Sequence, residues 1–360
     1  MPSIAHSRGD VVVGVDTHKD NHVAVVIDGV GGRLGHLSVP ATPAGYDELV
    51  TWARGLGEPV AYGVEGTGSY GAGLASFLRR QGAEVIEVNR PSRKADRRAN
   101  GKSDTLDAEH AAREVLAGTS TAVPKTADGA IETLRLVKIA RDTAMKAHTS
   151  AMIALKATLV TGDDELRAEL EHLTNFKLIV ACAALAPEDL TSPAGAMRHV
   201  LGSLARRWLA LHEEIKVHSR LLKQLTKATA PALIEAFGIG PDVATELLLA
   251  AGDNTDRIRS EAAFAKLCGA CPIPASSGKT NRHRLNRGGN RQANSALYRT
   301  VIVRMRWHEP TIAYVARRTA EGGLRLSKRE IIRCLKRYLA REVFLLLPAP
   351  VVSGEQVQAA

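Results

Sequence analysis

Asp16, Glu65, Asp104 and Asp107 are the side chains best suited to shared chemistry in this sequence. Asp16 closes the apolar run Val11-Val12-Val13-Gly14-Val15, and Glu65 closes a second, Val60-Ala61-Tyr62-Gly63-Val64. Asp104 and Asp107 stand three apart, a spacing that puts two side chains on one face of a helix. Singly, each has a plainer use: Asp104 suits the positive end of a helix, and Asp16 suits a turn. Together, in the order strand, strand, helix, they suit one site. Carboxylates sharing a small site cannot all stay ionised unless a cation sits among them. Oxygen donors select a hard ion, so Mg²⁺ is the expected cofactor. Two such ions roughly 3.5–4 Å apart form the usual device for phosphoryl transfer.

The elements that must position these groups read as α/β. Apolar runs at 11–16, 22–28 and 33–39 predict three strands in a meander. Thr42-Pro43 is a cap followed by a helix-start proline, and 45–56 reads as a helix. A strand at 60–65, a helix at 69–80 stopped by Gly82, a strand at 84–89 and a helix from Ser103 to about Leu116 follow. The order β-β-β-α-β-α-β-α is that of a ribonuclease-H-like sheet. There the first and fourth strands are neighbours and the last helix packs beside them, which would converge all four carboxylates.

Charge points to a polyanion. The chain carries 48 Lys+Arg against 38 Asp+Glu, a formal +10. The excess is concentrated. Residues 90–102 hold six basic side chains and one acidic, and residues 279–306 hold eight basic and none acidic. A body of mixed sign with two dense basic segments is the footprint of a nucleic-acid binder. Aromatic residues are only 4%, against a base-stacking platform. No apolar run approaches the ~18 residues of a membrane span. The first ten residues carry no basic-then-apolar signal pattern, and four cysteines make no disulfide framework. A cytoplasmic, nucleoid-associated protein is expected.

Residues 131–160 and 194–229 predict long helices. Leu201, Leu204, Trp208, Leu211, Ile215, Leu222 and Leu225 recur at coiled-coil spacing, as in a helical hairpin that spaces domains or joins protomers. Residues 232–252 read as a helix-hairpin-helix. Gly238 and Gly240 in its turn would let the backbone approach a phosphate. Residues 268–294 are loop-like, and helices are predicted at 295–306 and 328–347. Cys268 and Cys271 make half a zinc site, and a packed turn is the expectation. Gly66-Thr67-Gly68 lacks the ending of a nucleotide loop. His18 and His22 are expected at the surface.

Three strings make a resemblance specific. Gly14-Val15-Asp16-Thr17-His18-Lys19, Val64-Glu65-Gly66-Thr67-Gly68-Ser69-Tyr70 and Lys102-Ser103-Asp104-Thr105-Leu106-Asp107-Ala108 resemble the DEDD transposases of the insertion-sequence-110 family, the bridge recombinases. Phe264-Ala265-Lys266-Leu267-Cys268-Gly269-Ala270-Cys271-Pro272, Ser277-Gly278-Lys279 and Asn286-Arg287-Gly288-Gly289-Asn290-Arg291 continue it towards residue 347. The resemblance implies a RuvC-like N-terminal domain whose Asp16, Glu65, Asp104 and Asp107 hold Mg²⁺. It implies a C-terminal domain with a nucleophilic serine, Ser277 by motif position, with Ser276 beside it as the alternative. It implies an enzyme that cleaves and rejoins DNA through a serine–DNA ester. Its partners would be target and donor double-stranded DNA, a structured guide RNA, and other copies of itself in dimers or tetramers. Without the resemblance, Ser276-Ser277-Gly278 reads as a flexible loop.

The expected layout is a RuvC-like α/β domain over 1–125, a helical coiled-coil spacer over 126–229, a mostly α domain with the helix-hairpin-helix and serine loop over 230–348, and a tail over 349–360. Arg90, Arg93, Arg97, Arg98, Gly238, Gly240, Lys279, Arg284, Arg287 and Arg291 are the expected nucleic-acid contacts. Two other readings share this sheet. A Holliday-junction-type nuclease would use water and leave Ser277 idle. A sugar- or acetate-kinase-like ATPase would need a second similar half, which the sequence lacks.

Overall fold

The computed structural model describes residues 9–89, 103–162, 164–186, 190–278, 283–320 and 326–349. The chain divides into two compact units, Met1–Thr126 and Ala127–Ala360.

Strand alternation builds the first unit. Strands β1 (Asp10–Thr17), β2 (Asn21–Asp28), β3 (Arg33–Pro40), β4 (Glu58–Glu65) and β5 (Val85–Val88) form one sheet in the order β3-β2-β1-β4-β5. The first three are antiparallel; β1–β4 and β4–β5 are parallel. Val11, Val13 and Val15 face helices α1 (Pro43–Leu56) and α2 (Ala72–Arg80), where Leu49, Leu74 and Leu78 are fully buried. Each such leucine contributes roughly 1.5–3 kcal/mol. Val12, Gly14 and Asp16 must then face the other side, which α3 (Asp104–Leu116) covers with Ala108, Ala111, Ala112 and Val115. The predicted helix at 69–80 begins only at Ala72. Gly66, at φ +67°, opens a tight turn in which its carbonyl accepts from the amides of Ser69 (2.8 Å) and Gly71 (3.1 Å).

The second unit is mainly helical. Helices α4 (Ala130–Val160) and α7 (Pro193–Thr229) form an antiparallel hairpin. Arg141 Nε donates to Ser219 Oγ at 2.9 Å, the His148 and Trp208 rings lie 4.1 Å apart, and Leu155 shares a core with Leu201. Helices α5 (Asp164–Leu170) and α6 (Asn175–Ala183) close that end. Leu201, Trp208 and Leu222 of the expected seam are buried. A larger core gathers α8 (Pro231–Glu235), α9 (Pro241–Ala251), α10 (Glu261–Leu267), α11 (Arg291–Trp307) and α13 (Lys328–Leu345) around Leu233, Leu247, Phe264, Leu297 and Leu339. A further helix, α12 (Glu309–Thr319), lies between the two expected ones, with Pro310 in its first turn, where proline is tolerated.

At the expected helix-hairpin-helix, the first helix is only the five-residue α8. Gly238, at φ +78°, faces α11: a Cβ there would lie 3.4 Å from Val303 Cγ1, and Arg304 Nε donates to the Phe237 carbonyl at 2.8 Å. Gly240 is open and begins α9. No helix among the described residues is long and apolar enough to cross a membrane.

Candidate active site

Two glycines bring α3 onto the sheet. Gly14 and Gly63 pair across β1 and β4, and each precedes a carboxylate, Asp16 or Glu65, by two residues. On a strand that spacing is one face. A Cβ at Gly63 would lie 2.7 Å from Val115 Cγ2 and 2.8 Å from the Ala111 carbonyl oxygen, and one at Gly14 would overlap the backbone at Ala108 and Ala112. The close approach sets the first turn of α3, with Asp104 and Asp107, over the strand ends. Thr17 Oγ1 ties those ends together by donating to the Glu65 carbonyl at 2.8 Å.

The resulting site is mostly negative. Asp16 is 5% exposed and Glu65 7%. Burial lifts the Asp16 carboxyl above its ordinary range; His18 draws it down, and Glu65, Asp107 and Asp104 lift it further. The influence of three further carboxylates on one buried acid is the electrostatic sign of convergence. His18 Nε2 sits 3.1 Å from Asp16 Oδ2 and 3.5 Å from Asp104 Oδ1. Ligand atoms of Asp16, His18 and Asp104 all lie within 4.8 Å of one another, the one such group among the described residues. These donors, gathered around a buried acid, fit a divalent cation.

Ser277 belongs to a separate construction in the second unit. It lies between the short paired strands β6 (Ile273–Pro274) and β7 (His283–Arg284), and both Ser276 and Ser277 are exposed. A glycine clasp fixes the base of this hairpin. Gly269 and Gly289 both have positive φ, +62° and +82°. A Cβ on Gly289 would lie 2.5 Å from the Gly269 amide nitrogen and 2.7 Å from the Leu267 carbonyl oxygen. The Asn290 amide donates to that same carbonyl at 2.7 Å. Asn294 Nδ2 donates to the carbonyls of Cys268 (2.7 Å) and Gly269 (3.0 Å), and buried Lys336 donates to Asn294 Oδ1 at 2.5 Å. Cys268 is fully buried, its thiol pushed up to about 12 by burial. Arg284, Arg287 and Arg291 are exposed and form no ion pair among the described residues. An open cleft of about 880 Å³ beside the hairpin is lined by Arg284, Arg333, Arg337 and Tyr338.

Family models match both units. One, for a transposase of the DEDD IS110 type, spans residues 13–162; the other, described as transposase IS116/IS110/IS902 family, spans 230–316. The chain belongs to the IS110 family of DEDD transposases. It is similar to an insertion element IS110 uncharacterized 43.6 kDa protein of Streptomyces coelicolor, 30% identical over 146 residues, or 38% of this chain. The match spans 36% of that relative's length. In this transposase-family chain the first matched region holds all four carboxylates, and the second holds Ser277 and the glycine clasp.

Several side chains fall differently from the sequence reading. His18 keeps the expected surface exposure, and its ring also reaches the acidic site. His22 is fully buried, because its position opposite Thr17 faces α1, and its ring stacks on Tyr46 at 5.6 Å. Burial lowers its pKa. Arg304, counted in the basic segment, is held internally by Glu342, both contacts 2.6 Å. Arg333 and Arg337, which line the cleft, are paired with Glu330 (3.7 Å) and Glu261 (3.2 Å). Arg90, Arg93, Arg97, Arg98 and Lys279 lie outside the described residues.

Proposed function

We propose that this chain is the DNA transposase of an insertion sequence, cleaving and rejoining strands through a serine–DNA ester. The observation that carries this reading is the cluster around buried Asp16, with Glu65, Asp104 and Asp107 all raising its pKa, in a chain of this family. Mg²⁺ is the expected ion, held by these carboxylates; when bound it would stabilise negative charge on the scissile phosphate and activate an attacking hydroxyl. Ser277 Oγ attacks phosphorus. The bond from phosphorus to one deoxyribose oxygen breaks, and that oxygen leaves as a hydroxyl with the proton that serine gives up. The ester keeps the bond energy, so the strand can be rejoined without ATP.

Arg284, Arg287 and Arg291 beside the serine hairpin, with Arg90, Arg93, Arg97, Arg98 and Lys279, bind phosphates and hold the strand. Gly240 at the start of α9 offers open backbone for the same purpose, and Gly238 shapes that turn. A structured guide RNA selects target and donor DNA at the nucleoid. Ser277 and the carboxylates lie in different compact units. The family resemblance supports a working dimer or tetramer, in which the serine of one subunit would serve the carboxylates of another.

Trapping tests the central step. Wild-type protein with nicked DNA, denatured during reaction, should yield a protein–DNA adduct that Ser277→Ala abolishes. An adduct that persists in Ser277→Ala and vanishes in Ser276→Ala moves the nucleophile by one residue. Wild-type cleavage rates in Ser277→Ala with no adduct in any variant refute the serine mechanism and leave a water-using nuclease.

A further inference from the structure

Asp16, Glu65, Asp104 and Asp107 offer only oxygen, the donor preferred by Mg²⁺. The structure adds a nitrogen. His18 follows β1 in the turn to β2, where its amide donates to the Asn21 carbonyl at 3.1 Å. Its Nε2 is directed between two carboxylates, 3.1 Å from Asp16 Oδ2 and 3.5 Å from Asp104 Oδ1. We propose that His18 is a ligand of the cation in this cluster, and that its imidazole raises the centre's affinity for Co²⁺ and Mn²⁺ above what the carboxylates alone would give, while leaving Mg²⁺ binding to the carboxylates. The inference rests on the metal-dependent reading of the same site.

Three observations carry it. The first is separation. Neighbouring donors on an octahedral ion with bonds of about 2.1 Å lie about 3.0 Å apart, close to the spacing of Nε2 from both carboxylates. The second is the contrast with His22. His22 is a core residue, fully buried and stacked on Tyr46. The His18 side chain is 45% exposed, so hydrophobic packing does not hold its ring towards the acids. The third is the donor set. One nitrogen faces oxygens from two elements 88 positions apart in sequence, Asp16 on β1 and Asp104 on α3. Imidazole binds Co²⁺ more strongly than the harder Mn²⁺, and Mn²⁺ more strongly than Mg²⁺, which sheds water reluctantly and favours oxygen.

The test is direct binding to the full-length protein, by calorimetric titration with MgCl₂, MnCl₂ and CoCl₂. Pulsed electron paramagnetic resonance of the Mn²⁺ form reads nitrogen coordination separately. Wild type should bind Co²⁺ and Mn²⁺ at least about tenfold more tightly than Mg²⁺. His18→Gln should weaken Co²⁺ and Mn²⁺ by about 10–100-fold, change Mg²⁺ by less than about threefold, and remove the ¹⁴N coupling. Because His18→Gln also removes the contact that draws the Asp16 carboxyl down, the metal-free melting temperature is measured beside binding, and only folded protein is titrated. If wild type binds metal and His18→Gln binds every ion as tightly or more tightly, the inference is overturned; tighter binding would mean that the ring stands where the cation goes. If wild type binds none of the three ions, the metal-dependent reading itself fails.

Discussion

Replacing Gly14 by alanine adds one methyl group to the contact between β1 and α3. The new Cβ would sit 2.9 Å from Ala112 Cβ and closer still to the Ala108 carbonyl oxygen and the Ala112 amide nitrogen. Two of these neighbours are backbone atoms, so no rotamer change makes room. Ordinary carbon–carbon contact is about 3.5–4.0 Å, and relief needs α3 to retreat by about 1 Å. Overpacking of this kind costs about 1–3 kcal/mol. In a unit of this size that lowers the melting temperature by roughly 4–12 °C. The retreat also carries Asp104 and Asp107 away from Asp16 and Glu65. A displacement of about 1 Å in a catalytic constellation can cost on the order of 10²-fold in rate. Differential scanning calorimetry, divalent-ion titration and strand cleavage would each report it. Gly55→Ala is the internal control: it lies in α1 with nothing within 4 Å of an added Cβ, and should gain up to about 1 kcal/mol. A Gly14→Ala protein with the wild-type melting temperature and metal affinity would refute the claim that this glycine sets the carboxylate geometry.

Asp16 makes the metal-free fold pH-sensitive. Its folded pKa is raised above 3.8, chiefly by burial. The stability it confers is therefore present below 3.8 and lost as pH rises through the folded value. Asp16→Asn should melt higher than wild type at pH 7 without metal and gain less on adding divalent ions; an equal or lower metal-free melting temperature contradicts this. Gly289→Ala should destabilise the second unit by about 2 kcal/mol or more, since it combines a positive φ with backbone overlap against Gly269; unchanged chemical denaturation would show that the clasp is slack. Arg284→Ala, Arg287→Ala and Arg291→Ala together should lower the slope of log affinity for DNA against log salt by about 3, roughly one per phosphate contact. A full wild-type slope would place these arginines away from the nucleic acid.

Local pattern sufficed for much of this protein. Alternating and continuous apolar runs marked β1, β2 and β4 to within two residues, and breaker-free stretches marked α4 and α7. The likeness of the β-β-β-α-β succession to a ribonuclease-H-like sheet placed Asp16 beside Glu65, and β1 and β4 do pair in parallel. The pairing of Gly14 with Gly63, each two residues before its acid, was also present in the string, but its meaning required knowing that α3 lies on that face. Other features join residues distant in sequence and have no local signature. Arg304 looks like one more DNA-facing cation until Glu342 takes it. Asn294 and Lys336 look like ordinary helix residues until they brace the Cys268–Gly269 carbonyls. His22 and His18 differ by four positions, yet one enters the core and the other enters the acidic site. Periodicity tells which face of an element is apolar. Only tertiary packing decides what that face, and each polar side chain beside it, comes to meet.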